Sequence, residues 1–425
     1  MRKFFCFTFP FISLFTGLQA ENYPFPVSTN NSYVYPTAGI IKPSNVTQAA
    51  MNATIQTFYN EWKEQYLVTV PYAPDQMYVF YNGDGESDPA NAVAVSEGQG
   101  YGMILSAYMG DQENFDSLFR FCLAFPSSIT PNFLIGWQQV DEDGVIDYFP
   151  DGGDHSATDG DIDVAYALLL ADKQWGSSGS INYLAYANTM MSSIIEKDVN
   201  LTKLTLKLGD WVNNNDQTFG KATRPSDFIL NELRCFATIS GDTRWLSVMD
   251  KIYSLINELT TNFASGTGLL PDFVEFIYGE YVPADGLFLE RDEDGDYSWN
   301  SCRTPWRIAT DYILSGDTRA ISQLTLLNSW IRSAASNQAY NINAGYELDG
   351  TLLPDEEGLY YDDLAFTTPF GVSAMISSTN QTWLNRIWSY TADYPTSEGN
   401  YFSNSIRLLT WLVISGNWWT PINLP

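Results

Sequence analysis

Histidine is almost missing: His155 is the only one in 425 residues. A multi-histidine metal centre is therefore excluded, and any acid–base chemistry falls mainly to carboxylates. Basic residues are few, 21 Lys and Arg against 50 Asp and Glu, for a net charge of −29. Nucleic acid and anionic membrane are poor partners for such a chain, because both are held through phosphate by Lys and Arg. Cysteine is scarce as well: Cys6, Cys122, Cys235 and Cys302. Only three lie beyond residue 20, so at most one internal disulfide can form, and buried free thiols are the simpler expectation. Past the N-terminus no apolar run reaches membrane-spanning length without charges. No metal and no cofactor are expected.

Aromatics are abundant, with 13 Trp, 26 Tyr and 25 Phe. This richness suits a heavy core or a groove in which flat ligands stack. At the N-terminus, Arg2 and Lys3 precede an apolar stretch from Phe4 to Leu18 that is interrupted by Pro10. Leu18-Gln19-Ala20 has the small-residue character of a cleavage site, so residues 1–20 read as a secretory signal and the protein as secreted or periplasmic. Cleavage there leaves 19 basic against 50 acidic residues, a charge of −31.

Residues 21–48, with Pro24, Pro26, Pro36 and Pro43, read as an extended arm. Residues 49–425 then read as one all-α domain acting as a monomer. Apolar residues recur at helical spacing over Ala49 to Tyr66, Gly102 to Met109, Val164 to Trp175, Phe228 to Ile239, Trp245 to Leu259, Trp306 to Leu314 and Ile321 to Ala334. Strand-like alternation is confined to short pieces such as Tyr78 to Tyr81 and Leu201 to Leu208. A Gly-Asp pair closes an apolar helix at Gly110-Asp111, Gly241-Asp242 and Gly316-Asp317, with Ile414-Ser-Gly-Asn417 as a degenerate copy. A Gly just past the last apolar position is a helix stop, and the polar residues after it can start the next helix. The pattern predicts helical hairpins repeated with long inserts, arranged as a closed toroid or an open solenoid.

Three segments could carry chemistry. In Ser96-Glu-Gly-Gln-Gly-Tyr-Gly102, Ser96 can cap a helix with Glu97 in its first turn, where the helix dipole favours a carboxylate. Capping and tight packing by the glycines is the blander account of the same residues. In Thr158-Asp-Gly-Asp-Ile-Asp163, three aspartates alternate at the start of an apolar helix. Such crowding needs a cation, hydrogen bonds or a raised pKa to offset it. Calcium competes as an explanation, although the later ligands of an EF-hand are absent. The third segment, Asp285 to Arg307, is an acidic loop whose Asn300, Arg303 and Arg307 stand among aromatics. Trp137, Trp211 and Trp299 lie among Gly and Asp outside clear helical stripes and are read as stacking platforms for flat ligands, with a place in the core as the equal alternative. His155 is read as a rim residue.

The run from Ala157 to Trp175 resembles the signature of glycoside hydrolase family 8, with Val164 where Ile or Met is usual. Ser96 to Gly102, Arg224-Pro-Ser-Asp-Phe228, Arg303-Thr-Pro-Trp-Arg307 and Gly345-Tyr-Glu-Leu-Asp-Gly350 resemble further blocks of that family, in family order. The resemblance implies an (α/α)6 barrel and inverting endo-cleavage of a β-linked polysaccharide. It implies that Glu97 is the general acid and that Asp159 contacts and distorts the sugar; Asp161, Asn300 and Arg303 are read as further substrate-binding residues. Family cellulases carry Asp where this chain has Asn300, and an amide cannot accept the proton of water. The pattern is similar to the chitosanase and mixed-linkage glucanase subgroup, where a Glu of the preceding loop takes over; Glu290 is the match. Asp292, Glu293, Asp294 and Asp296 read as a solvated acidic turn.

The leading expectation is a chitosanase: the Asn300 and Glu290 pattern points to that subgroup, and strong negative charge, which also serves solubility, would attract a polycationic polymer. β-1,3-1,4-Glucan and cellulose are the alternatives, and a non-catalytic carbohydrate-binding or calcium-binding surface protein is the alternative of another class.

Overall fold

Twelve helices of eleven or more residues order the chain: α1 Gln48–Tyr66, α2 Ser96–Met109, α3 Gln112–Ala124, α4 Thr158–Trp175, α5 Tyr183–Lys197, α6 Leu230–Ser240, α7 Arg244–Phe263, α8 Thr304–Ser315, α9 Ile321–Ala334, α10 Leu364–Ala374, α11 Gln381–Asp393 and α12 Tyr401–Ile414. They belong to a computed structural model that describes residues 22–81, 90–131, 133–355 and 358–422; the signal-like residues 1–20 lie outside the described residues. The even-numbered helices form a ring in which each packs on the next, and α12 returns to α2. The odd-numbered helices pack around that ring. The toroid is therefore closed, as an (α/α)6 barrel.

The two rings follow from the distribution of apolar residues. Every residue of α10 is buried, as is all of α12 except Phe402. A helix with no polar face has no place at the surface. By contrast α7 buries Trp245, Val248, Met249, Ile252, Ile256 and Leu259 at three- and four-residue steps and turns polar residues outward. That single stripe is what an outer helix needs.

The Gly-Asp repeat is the turn from an inner helix to its outer partner. Gly110, Gly241 and Gly316 take left-handed φ angles of 75°, 70° and 72°, which glycine adopts without a Cβ clash. Each following aspartate then accepts a backbone N–H at the start of the next helix: Asp111 from Asn114, Asp242 from Arg244 and Asp317 from Arg319. These short turns form the base of the barrel. The long inserts lie at the opposite end, ahead of the inner helices, and carry small antiparallel pairings. The largest has three strands, β1 Ala92–Val95, β2 Gln138–Glu142 and β3 Val145–Tyr148. The strand expected over 201–208 contracts to Thr205–Leu206, and the one expected at 78–81 belongs to a longer strand, Ala73–Val79.

The N-terminal arm crosses the base and is tied to the ends of the inner helices. Tyr35 donates to the carbonyl of Val413, Thr37 to that of Tyr312, and the amide of Ile41 to that of Met375. One helical turn, Val27–Asn30, interrupts its extended course. Tyr23 stacks on Trp419 at 4.5 Å, and Trp418 sits against Tyr108 at 4.4 Å, so arm and C-terminal tail together close this end. Cys122, Cys235 and Cys302 are all free and buried.

Candidate active site

The inner helices all begin at the same end of the barrel, and their first turns supply the site. Glu97 is the second residue of α2 and Asp159 the second of α4. Asp227 ends the 3-10 turn Pro225–Asp227 ahead of α6, and Arg303 ends the turn Trp299–Arg303 that runs into α8. Tyr401 opens α12. Helix N-termini carry partial positive charge and suit the carboxylates gathered there. Val95, not Ser96, holds the N-cap position of α2, and Ala157 holds that of α4. The glycines of the first motif admit neighbours: a Cβ on Gly98 would lie 2.9 Å from the Tyr401 hydroxyl, and one on Gly100 2.6 Å from Cβ of Asp163.

A cavity of about 510 Å³ opens over these turns, with Glu97, Asp159, Asp227 and Glu290 on its wall. Below it lies Arg303, with none of its side chain exposed. Its Nη1 donates to Glu97 Oε2 and to Asp159 Oδ2, each at 2.7 Å, and to the Tyr101 hydroxyl at 3.1 Å. Nη2 donates to Ser226 at 2.8 Å, and Nε to the carbonyl of Asn300 at 3.3 Å. Tyr401 donates to the other Glu97 oxygen at 3.1 Å, and the amide of Gly160 donates to Asp159 Oδ1 at 2.8 Å.

These contacts separate the two carboxyls. Burial raises Glu97 to about 7, aided by the charge of Asp159 and opposed by Arg303 and Tyr401. Burial also pushes Asp159 upward, but the charge and hydrogen bond of Arg303 outweigh it and hold Asp159 below the usual carboxylate range. One carboxyl is thus poised to carry a proton near neutrality while its neighbour stays ionised. Asp227 is raised to about 8 by burial and by the charge of Asp159.

On another part of the wall, Glu290 Oε2 accepts from Arg224 Nη2 at 2.8 Å. Arg224 is itself fixed by two 3.0 Å bonds to the buried carboxylate of Asp272. Trp137, Trp211, Trp299, Asn300 and His155 line the cavity too. Trp299 holds a φ of +32°, an uncommon value for a bulky side chain, while packed on Phe366 and under the guanidinium of Arg291. Such backbone strain costs on the order of 1–3 kcal/mol and persists where the surroundings fix it.

Three expectations are corrected. Arg303 does not reach the substrate side: it is buried beneath the carboxyls it pairs. Asp161 is fully buried and points away from the cavity, accepting from the amide of Ile135 at 3.0 Å. Alternate positions on a helix lie on opposite faces. Asp161 therefore parts from the other two and turns to the loop behind the helix, whereas Asp159 and Asp163, four residues apart, share a face: Asp159 meets Arg303, and Asp163 makes a double bond with Arg307 at 2.8 and 2.7 Å. No group of three or more His, Cys, Asp or Glu among the described residues is placed to hold a metal ion. The acidic turn is corrected as well, since Asp294 is buried.

Sequence reasoning does not find Tyr401 or Asp227 as site residues. Tyr401 lies 304 positions from Glu97 and carries no local motif. Asp227 sits within a family-like block, the only signal that could have marked it.

Residues 44–416 match the pattern of the family described as glycosyl hydrolases family 8. Over 420 residues the chain is 45% identical to a protein named Beta-glucanase from Niallia circulans, covering 98% of this chain and 96% of that one. It is 38% identical over 415 residues to an Endoglucanase of Bacillus sp. (strain KSM-330), covering 96% and 84%. The structure is similar to that of the beta-1,3-1,4-glucanase from Paenibacillus sp. X4, with a TM-score of 0.85, 45% identity, and coverage of 94% of this chain and 100% of that one. Rex8A from Paenibacillus barcinonensis, at 16% identity and a TM-score of 0.73 over 92% of this chain and 100% of that one, shares the fold.

Proposed function

This chain belongs to glycoside hydrolase family 8, and on that premise we propose that it is an inverting endo-β-glucanase acting on mixed-linkage β-1,3-1,4-glucan. The observation that carries the reading is the pairing of Glu97 and Asp159 on one arginine beneath a cavity whose wall also bears Glu290. Glu97, protonated near neutrality, donates to the leaving oxygen. Glu290 takes a proton from the water that attacks the opposite face of the sugar, and Asp159 remains ionised to stabilise the positive charge that develops on the ring. An inverting pair stands roughly 6.5–9.5 Å apart to admit that water. Asn300 lies on the wall but cannot serve as base, because a neutral amide accepts no proton at working pH. Trp137, Trp211 and Trp299 offer flat apolar faces to sugar rings.

Chitosan gives way to glucan as the favoured substrate. Two relatives are named for glucan hydrolysis, and a solved structure at 45% identity is that of a beta-1,3-1,4-glucanase. A polymer is met outside the cell, which supports reading residues 1–20 as an export signal; no helix among the described residues is long and apolar enough to cross a membrane.

Reducing-sugar release from mixed-linkage glucan, cellulose, xylan and chitosan tests the substrate, with glucan expected to lead by at least tenfold in kcat/KM. NMR of the first product tests the mechanism, since inversion yields the α-anomer. Chitosan as the best polymer, or a β-anomer formed first, overturns the corresponding half of the proposal.

A further inference from the structure

The loop that carries Glu290 is organised around a carboxylate that never reaches the cavity. Asp294 is 1% exposed, and its two oxygens accept three consecutive backbone N–H groups: Oδ2 from Leu289 at 2.7 Å and Glu290 at 2.9 Å, and Oδ1 from Arg291 at 2.9 Å. All three of these residues line the cavity. The loop is also pinned from outside: the amide of Phe273 donates to the carbonyl of Asp294, and that of Asp272 to the carbonyl of Asp296, both at 2.8 Å. The side chain of Asp272 holds Arg224, and Arg224 holds the Glu290 carboxylate. Glu290 is thus fixed at its amide by Asp294 and at its carboxylate by Arg224.

We propose that Asp294 is a positioning residue for the base: by collecting the amides of residues 289–291 it sets where the Glu290 carboxylate stands over the cavity. This rests on Glu290 being the base. A carboxylate suits the task because both of its oxygens only accept, so it can gather three donors without conflict. The substitution Asp294→Asn replaces one of those oxygens with an NH2 donor facing backbone N–H, and at least one bond is lost. A charge-assisted bond is worth enough that losing it shifts a loop equilibrium by about tenfold or more.

The experiment measures kcat, KM and melting temperature for Asp294→Asn and Asp294→Ala on mixed-linkage glucan, and repeats Asp294→Asn in a Glu290→Ala background with azide as external nucleophile. Expected is a fall in kcat of about tenfold for the Asn variant and more for Ala, with KM within threefold because Trp137 and Trp211 lie on other segments. In Glu290→Ala the azide-supported rate should not change on adding Asp294→Asn, since the group being positioned is gone. Multiplicative losses in the double variant would mean a general structural role and overturn the proposal, as would wild-type kcat in Asp294→Asn. Normal turnover by Glu290→Gln overturns the base assignment itself. Loss in Glu290→Gln with normal turnover in Asp294→Asn overturns only the role of Asp294.

Discussion

A single nitrogen, Nη1 of Arg303, stands 2.7 Å from both Glu97 and Asp159, yet the two carboxyls are driven in opposite directions. The difference lies in what else surrounds each. Asp159 also receives the amide of Gly160 and feels the charge of Arg224, whereas burial dominates at Glu97. The arginine therefore does more than neutralise charge: it binds the ionised carboxylate and leaves the other near neutrality, as a proton donor requires.

Glu97→Gln should keep the fold and lose turnover. The amide is nearly isosteric, and its oxygen can still accept from Arg303 or Tyr401, but it cannot protonate a leaving oxygen. A loss of about 10²–10⁴ in kcat is expected, with a melting temperature close to that of the parent. Steady-state rates and a thermal melt on the same preparation check both parts.

The alkaline limb of kcat/KM should fall near pH 7, where Glu97 gives up its proton. Two variants should move it in opposite directions. Tyr401→Phe removes a donor that favours the ionised form, so the limb moves up. Asp159→Asn removes a negative charge that disfavours ionisation, so the limb of its residual activity moves down. Shifts in the same direction would break the link between the limb and Glu97.

What can be read from the sequence follows the physics of each element. α7 and α9 are outer helices with one apolar stripe, and the sequence predicts α9 over its full Ile321–Ala334 span. α10 and α12 carry no such stripe, because an inner helix is buried on every side, and Pro369 inside α10 further obscures the pattern. In α2 the apolar spacing is legible only from Gly102 onward, and its first turn is marked instead by Ser96 and Glu97; Gly98, Gly100 and Gly102 make room for close packing. α3 is a plain omission, since Phe115, Leu118, Phe119 and Cys122 have helical spacing. In the site, Glu97 and Asp159 sit in local motifs, whereas the depth of Arg303 and the contact of Tyr401 with Glu97 exist only once the ring closes.

Arg303→Lys should be far from conservative. The ammonium keeps the charge but lacks the planar fork that reaches Glu97, Asp159 and Ser226 together. Breaking a buried ion pair of this kind costs about 3–5 kcal/mol of stability when a partner is removed outright, and the Lys variant should lose part of that. Turnover should fall by about a hundredfold because Glu97 and Asp159 lose their shared anchor. Denaturant unfolding and kcat measured side by side test this; near-parental values in both would mean that the fork is dispensable.

Stability should fall as pH rises from mildly acidic toward pH 8. Several buried carboxyls are held above their ordinary values chiefly by desolvation: Asp272 at about 6, Glu97 at about 7, Asp227 at about 8, and Asp161, Asp198 and Glu232 well above the usual range. In the unfolded chain these groups titrate near 4. Between the two values the folded state binds more protons than the unfolded state, so stability decreases as pH rises. Their contribution is fully present below about pH 4 and is lost as pH climbs through each folded value. Asp317 works the other way: Arg319 and Arg234 hold it at about 2, so its contribution is present above the ordinary carboxylate value and is lost only as pH falls toward 2. The raised groups are more numerous and more deeply buried, and they set the slope between about pH 5 and 8. The melting temperature should therefore be highest at mildly acidic pH and decline steadily toward pH 8. Asp227→Asn cannot ionise, so its decline over the same interval should be shallower than the parent's. A melting temperature that rises from pH 5 to pH 8, or an Asp227→Asn curve parallel to the parent's, would show that these carboxyls ionise in the folded protein without the penalty that burial imposes.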